Sequence, residues 1–204
     1  MSANLQALSF TEKLNLIHDT MIANPVAGFP DSIFTAIENR LHIIIPEPLK
    51  DVYRIFGNHM DFLDAQYHIA MPDDLSVNGE VLVFVAENQF ACFYGIHLPT
   101  LTPVYMDYES NAAKSLDQSL PDFLLFLLGL QCTAYAGCVA TAMPDEPYEP
   151  YLGRISDEAG DGAVFCRPSE LIAVRAGEEV FLCAKSDTIM CTFEKSTGID
   201  IDFL

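Results

Sequence analysis

The chain has 204 residues, of which 50% are hydrophobic and 19% are charged. This composition excludes an intrinsically disordered chain and allows a full hydrophobic core without stabilising disulfides. Ten Lys and Arg residues against 29 Asp and Glu residues give a net charge of −19. Such a negative field disfavours direct binding to nucleic acid or to an anionic membrane, and it attracts basic proteins. A role in solubility alone is the alternative.

Helical signals dominate the first third of the sequence. Residues 9–12 match a capping box, and apolar residues continue from there at helical spacing. Asp31 is predicted to cap a second helix, and Pro48 suits the first turn of a third helix that ends at Gly57. Three helices are therefore expected before a less regular segment that begins at Met60.

Two apolar runs in the middle of the chain predict a β-hairpin. Residues 81–86 and 90–96 are rich in Val, Phe and Tyr, and residues 87–89 are the polar turn between them. Neither run alternates between polar and apolar residues, which indicates strands covered on both faces, in the middle of a sheet. Shorter strands are predicted at residues 67–70 and 103–106.

The second half of the sequence predicts one apolar helix and several strands. Ser119 is expected to cap a helix over residues 119–131, which is too short an apolar run to span a membrane. Strands are predicted at residues 163–167, 179–184, 188–193 and 199–204, with a hairpin turn at residues 185–187. The last strand alternates strictly, which indicates an edge strand with Ile199, Ile201 and Phe203 facing inward.

Together these elements predict an α+β fold, with a central, largely antiparallel sheet flanked by helices and with extra C-terminal strands. We expect a single domain over residues 1–204. Within it, residues 1–30 form an N-terminal helix, residues 31–135 the core, and residues 136–204 a strand-rich extension.

The cysteines and the first residues indicate a cytoplasmic protein. The six Cys residues lie in apolar sequence without C-x-x-C spacing, and we interpret five of them as small buried hydrophobes. The first residues lack the basic and apolar regions of a secretion signal. Secretion with three disulfides is the alternative.

No local motif predicts catalysis. The sequence lacks a P-loop, a dinucleotide-binding fingerprint, an H-E-x-x-H motif and a G-x-S-x-G motif, and its five His residues have no zinc-ligand spacing. His59 and His68 flank a segment with Asp61 and Asp64, which we interpret as a coincidence. We expect a protein that is not an enzyme and has no cofactor or metal. A catalytic site assembled from distant residues is the alternative.

An ordered set of motifs in residues 31–135 resembles the SUKH superfamily. It opens with Glu38-Asn39-Arg40-Leu41 and continues with Ile45-Pro46, Leu49, Tyr53 and Gly57-Asn58. Residues 72–75, 83–96, 103–105 and 119–131 are similar to the turn, hairpin, strand and helix that follow in that family. The resemblance implies an α+β fold with a central sheet flanked by helices.

The resemblance also implies a binding role. Bacterial members of the superfamily are chiefly immunity proteins that neutralise polymorphic toxins, and fungal members regulate cell-wall assembly. We expect a cytoplasmic immunity protein that covers the active site of a cognate bacterial toxin, with a nucleic-acid-targeting toxin as one candidate. The expected partner is basic, and neither nucleic acid nor membrane is bound directly. The alternative is an intracellular scaffold or regulator.

The candidate partner surface is acidic and contains tyrosines. Residues 144–151 combine three prolines, three acids and two tyrosines, so they are expected to be extended and exposed and to offer aromatic anchors. Loops beside the hairpin add further acids, and a simple linker is the alternative for the proline-rich segment. The candidate partner-binding residues are Asp73, Asp74, Asp107, Glu109, Asp145, Glu146, Tyr148, Glu149 and Tyr151.

Overall fold

A computed structural model describes residues 8–24, 26–109, 112–142, 152–154, 162–166, 171–176, 179–198 and 201–204. Six α-helices and two six-stranded sheets within these ranges form an α+β fold, as the sequence predicts. The contacts divide the chain into two compact units. One is residues 26–124, here called the hairpin unit, and the other combines residues 1–25 with residues 125–204, here called the terminal unit.

The helices are α1 (Phe10–Met21), α2 (Asp31–Leu41), α3 (Glu47–Phe56), α4 (Met60–Leu63), α5 (Leu120–Tyr135) and α6 (Asp187–Thr197). Four of these six helices, α1, α2, α3 and α5, begin at or near the predicted positions, whereas α4 and α6 are not predicted from the sequence. The capping box of α1 is present, with Glu12 N donating to Ser9 Oγ at 3.3 Å and Ser9 N donating to Glu12 Oε2 at 2.7 Å. None of the helices in the described ranges is both long and apolar enough to cross a membrane.

The predicted cap of α2 is wrong. Pro30 occupies the capping position and makes no side-chain cap bond, and Asp31 is the first helical residue. The Asp31 carboxylate instead accepts a hydrogen bond from Arg54 Nε at 2.9 Å. It still lies in the first turn, where the helix dipole favours a negative charge.

The sheet of the hairpin unit is antiparallel throughout. Its strands are β1 (Tyr67–Ile69), β2 (Ser76–Asn78), β3 (Val81–Glu87), β4 (Cys92–His97), β5 (Thr102–Asp107) and β6 (Ala113–Ser115). The order is β1-β3-β4-β5-β6, and β2 also pairs with β3. The predicted hairpin is therefore β3 and β4, and it lies within the sheet. Both faces of β3 are covered, because Val81, Leu82, Phe84 and Val85 are each at most 6% exposed.

The hairpin turn is longer than predicted. Phe90, predicted as a strand residue, lies in the connection before β4, has a positive φ of 56° and is 54% exposed. Its apolar character favoured a strand, whereas the backbone had to reverse direction over residues 88–91. The β3–β4 register also shifts between Val83 and Val85, as in a β-bulge.

The predicted helix after Ser119 is confirmed as α5. Asp122 N donates to Ser119 Oγ at 3.3 Å, which caps the helix. In the first turn, the Phe123 ring meets Phe84 of β3 edge-on, with ring centres 6.2 Å apart. The start of α5 therefore packs on one face of the hairpin, as predicted.

The terminal unit contains a second antiparallel sheet. Its strands are β7 (Cys138–Ala142), β8 (Leu152–Arg154), β9 (Gly162–Cys166), β10 (Leu171–Ala176), β11 (Glu179–Ala184) and β12 (Ile201–Phe203), in the order β12-β7-β11-β10-β9-β8. The strands β9 and β11 match the prediction. No strand is predicted from the sequence at β7 or β10, and in β7 the small residues weaken the strand signal. Helix α1 belongs to this unit, where Lys185 Nζ donates to the Asp19 carbonyl at 3.0 Å.

The predicted strand at residues 188–193 is wrong, because these residues lie in α6. Their Thr, Ile and Phe content favoured a strand by propensity. Met190 and Phe193, three positions apart, are instead buried on one helical face against the second sheet, and Gly198 ends the helix with a φ of 73°. The predicted turn at residues 185–187 accordingly leads from β11 into a helix.

The predicted edge strand is β12, which stands first in the order of the second sheet. Ile201 is buried, whereas Phe203 is 49% exposed, so its predicted inward position is wrong. Alternation assigns a residue to a face of the sheet but does not determine how far the core extends along that face. Ile199 lies outside the described residues.

The interpretation of the cysteines as buried hydrophobes is confirmed for four of the five described cysteine side chains. Cys92, Cys132, Cys138 and Cys183 are buried, Cys191 is half-buried, and all five are free thiols. Cys138 belongs to the core cluster that α6 covers.

Candidate functional site

A side chain from α2 holds the connection between β1 and β2. Arg40 Nη2 donates to three backbone carbonyl oxygens, those of Pro72, Asp73 and Leu75, at 3.3, 2.9 and 3.3 Å. These residues form a single 3-10 turn, Pro72–Asp74, and the residue after it. A guanidinium group presents several donors in a fixed plane, so one side chain satisfies consecutive carbonyls of a tight turn.

A second side chain, from α3, holds the start of the same connection. Tyr53 is fully buried, and its hydroxyl donates to the Ala70 carbonyl at 2.5 Å. Burial, together with the nearby Asp74 carboxylate, raises the pKa of Tyr53 far above its ordinary value. The phenol therefore remains a hydrogen-bond donor at any physiological pH, and Asp74 is presented on a segment anchored at both ends.

Asp64 and His68 meet beside this segment. Asp64 caps the end of α4, and its Oδ1 is hydrogen-bonded to Nδ1 of His68 in β1. The imidazole also stacks on the Phe90 ring, with centres 5.3 Å apart and planes 11° apart. Hydrogen bonding on one edge and stacking on one face fix the orientation of the His68 ring.

A cavity of 370 Å³ lies among these groups, and we call it the acidic cavity. Its polar wall contains the side chains of Asp64, His68, Asp74 and Ser76. Its apolar wall includes Met60, Met71 and Phe93. The volume lies within the range of natural small-ligand sites, and a mixed wall of this type suits an amphipathic group.

A second cavity, of 610 Å³, opens beside the other end of β3. His97 Nε2 lies 3.5 Å from Glu80 Oε2, its Nδ1 lies 2.7 Å from Thr100 Oγ1, and Thr100 Oγ1 lies 2.8 Å from Thr102 Oγ1. The Glu80 carboxylate, the His97 imidazole and the Thr100 hydroxyl therefore follow the order of acid, base and nucleophile in a catalytic triad. The Glu80 side chain, however, is 74% exposed, so water competes for its carboxylate and weakens any orienting effect on His97.

The basic side chains of α2 and α3 are engaged locally. Arg54 contacts three carboxylates, those of Asp31, Glu47 and Asp51, at 2.9, 2.6 and 2.7 Å. Lys50 Nζ lies 2.7 Å from Glu38 Oε1, and Arg40 binds carbonyl oxygens rather than carboxylates. Near the sheet, by contrast, Asp64 and Glu80 pair with His68 and His97. The acids of α2 and α3 are thus neutralised by Lys and Arg, whereas these two acids near the sheet are not.

The buried cysteines are poor candidates for nucleophiles. Burial raises the pKa of the Cys92 and Cys132 thiols, and it raises the pKa of Cys183 to about 12. Burial and, after it, the Asp187 carboxylate raise the pKa of Cys138. Since the thiolate is the reactive form, these four side chains are held in their unreactive state. No group of three or more His, Cys, Asp or Glu side chains in the described ranges could hold a metal ion.

The predicted partner-binding residues have different positions. Asp73 and Asp74 are exposed on the 3-10 turn, and of the two Asp74 lines the acidic cavity. Asp107 ends β5 and accepts a hydrogen bond from Glu109 N at 3.1 Å, and neither residue lines that cavity. Asp145, Glu146, Tyr148, Glu149 and Tyr151 lie outside the described residues.

The acidic cavity as a site was not found from the sequence. The sequence alone favours coincidence for the cluster of His59, Asp61, Asp64 and His68. In the structure, however, Asp64 and His68 are hydrogen-bonded, while His59 Nε2 accepts from Val26 N at 3.3 Å. The four-residue spacing of Asp64 and His68 was the available signal. This spacing is informative only because Asp64 caps the end of α4 and β1 contains His68.

No family model matches the chain, and neither a curated protein nor a solved structure shows significant similarity to it. The class that the fold and the site define is an α+β protein with a strongly acidic surface and a small acid-lined cavity beside its first sheet.

Proposed function

We propose that this protein is a cytoplasmic immunity protein of the SUKH type, which binds a basic toxin domain and covers its active site. The resemblance of residues 31–135 to that superfamily supports the proposal. The observation that carries it is electrostatic: Asp64 and Glu80, beside the sheet of the hairpin unit, pair with histidine, whereas the acids of α2 and α3 pair with Lys and Arg.

The mechanism of neutralisation is steric occlusion guided by charge. A net charge of −19 accelerates the encounter with a basic protein, because opposite fields steer the two partners together. A toxin that acts on nucleic acid carries a basic groove for its substrate. An acidic surface seated in such a groove excludes the substrate without any catalytic step.

Co-purification tests the proposal. The tagged protein is isolated from its native strain and its partners are identified by mass spectrometry. We expect one stoichiometric partner with a basic domain, whose expression alone arrests growth and whose co-expression with this protein restores growth. Many substoichiometric partners would favour the scaffold or regulator instead, and a partner without toxicity would overturn the immunity role.

A further inference from the structure

We propose that the acidic cavity receives one arginine side chain of the basic partner, with its guanidinium group bound by the carboxylates of Asp64 and Asp74. The proposal rests on the proposed function, because it names the partner group that this protein recognises. It also defines a binding site that can be tested before the partner is known.

The charge of the cavity favours a cation. Two carboxylates line it, and the described lining residues include neither Lys nor Arg. Arg40, which contacts the turn, is held by three carbonyl oxygens. Asp64 uses Oδ1 for His68. Its second oxygen and the Asp74 carboxylate are left as acceptors for a guanidinium fork.

The apolar wall favours arginine over a small cation. Met60, Met71 and Phe93 line the same cavity. An arginine carries a three-carbon stem that packs on such a surface while its head meets the carboxylates. Its flat guanidinium group also stacks on aromatic rings, and methionines adapt their shape to an inserted side chain. Buried arginines are among the commonest hot spots of protein interfaces.

The cavity is built before the partner arrives. Arg40 and Tyr53 anchor the segment that presents Asp74, and the contact with Phe90 fixes the ring of His68. A site whose groups are already ordered loses less conformational entropy on binding. These anchoring contacts therefore lower the entropic cost of binding at the acidic cavity, compared with acids on unconstrained surface loops.

The test uses the full chain and three small probes: N-acetyl-arginine amide, N-acetyl-lysine amide and the neutral isostere N-acetyl-citrulline amide. Binding is followed by NMR shifts of the amides of residues 64–76. We expect millimolar binding of the arginine probe, weaker binding of the lysine probe and at least tenfold weaker binding of citrulline. Equal binding of the arginine and citrulline probes would overturn the proposal.

Asp73 provides a matched control. Asp73→Asn and Asp74→Asn remove the same charge from adjacent exposed positions of one turn, but of the two residues Asp74 lines the cavity. Asp74→Asn should weaken arginine binding about tenfold, and Asp73→Asn less than twofold. Equal effects of the two substitutions would mean that the arginine probe responds only to the overall negative charge of the protein, which contradicts the proposal. If Asp74→Asn lowers the thermal midpoint, Asp64→Asn serves as the second variant with the same expectation.

The outcomes separate this inference from the proposed function. If co-purification yields no toxin but the arginine probe binds as described, the cavity is supported as an arginine-binding site and the proposed immunity function is contradicted. If a toxin is found and Asp74→Asn leaves its dissociation rate at the Asp73→Asn value, the immunity role stands and the cavity is not its anchor.

Discussion

Tyr53 shows how one buried hydroxyl positions a functional segment. Its ring lies 6.5 Å from Phe29 and 6.3 Å from Phe34, so the ring belongs to the helical core while the hydroxyl reaches Ala70. Packing and positioning can therefore be separated by removing the oxygen alone.

Tyr53→Phe should lower the free energy of unfolding by about 1–2 kcal/mol, because the half-buried Ala70 carbonyl loses its donor. Urea unfolding at neutral pH measures the change. The control is Tyr108→Phe, at a residue that is 61% exposed, where we expect a change below about 0.5 kcal/mol. Equal midpoints for the wild type and Tyr53→Phe would contradict the role of the hydroxyl.

Glu38 links α2 to the start of α3 and to the preceding connection. Its Oε1 lies 2.7 Å from Lys50 Nζ and accepts from Ile45 N at 2.9 Å. The bond from Lys50 lowers the pKa of Glu38 below its ordinary value of 4.5, although partial burial opposes the shift. Because the folded pKa is lowered, this carboxylate stabilises the fold above pH 4.5, and the stabilisation is lost as the pH falls through the folded value.

Glu38→Gln should therefore destabilise the protein by about 1–2 kcal/mol at pH 7. The difference from the wild type should shrink below pH 4.5, because a protonated Glu38 resembles the glutamine that replaces it. Urea unfolding of both proteins at neutral and at acidic pH checks this. A difference that stays constant over the whole range would argue against the ion pair.

At the scale of elements, β3 and α5 supply large buried side chains. Phe84 is fully buried and Leu127 is 2% exposed. Phe84→Ala should cost about 3–5 kcal/mol and Leu127→Ala about 2–5 kcal/mol, as large-to-small core changes do. Phe90→Ala is the matched control, since Phe90 is 54% exposed, and it should cost less than about 1 kcal/mol. Urea midpoints of Phe84→Ala and Leu127→Ala equal to that of the wild type would refute the assignment of both residues to the core.

At the scale of the whole molecule, the distribution of charge predicts how association responds to salt. The proline-rich segment with Asp145, Glu146, Tyr148 and Tyr151 lies outside the described residues, and its role as an interface remains a prediction. Changing Asp145 and Glu146 to Lys should slow association with the toxin, most strongly at low salt. Changing Tyr148 and Tyr151 to Ala should speed dissociation.

Both changes should leave folding nearly unaltered if the segment is exposed, and thermal unfolding of each variant is the control. Stopped-flow or surface-based kinetics with the purified toxin measure the two rates. Wild-type rates for both variants would show that the segment is only a linker.

Signals that are local in the sequence predicted much of the fold. The capping box of α1, the Ser119 cap of α5 and the continuous apolar runs of β3 and β4 depend on residues a few positions apart. The same reliance on local signals made the prediction for the α6 region wrong. Its β-favouring residues lie within a helix because Met190 and Phe193 are buried on one helical face against the second sheet, and tertiary packing overrides propensity.

The sequence by itself determined the fold class, the acidic character and the absence of common catalytic motifs, because composition and short-range periodicity encode them. Tertiary structure alone decided which charges are neutralised and which line a cavity. Arg40 meets the Asp73 carbonyl across 33 positions of the chain, and Tyr53 meets Ala70 across 17. Such contacts depend on how helices dock beside a sheet, and no local pattern specifies that docking.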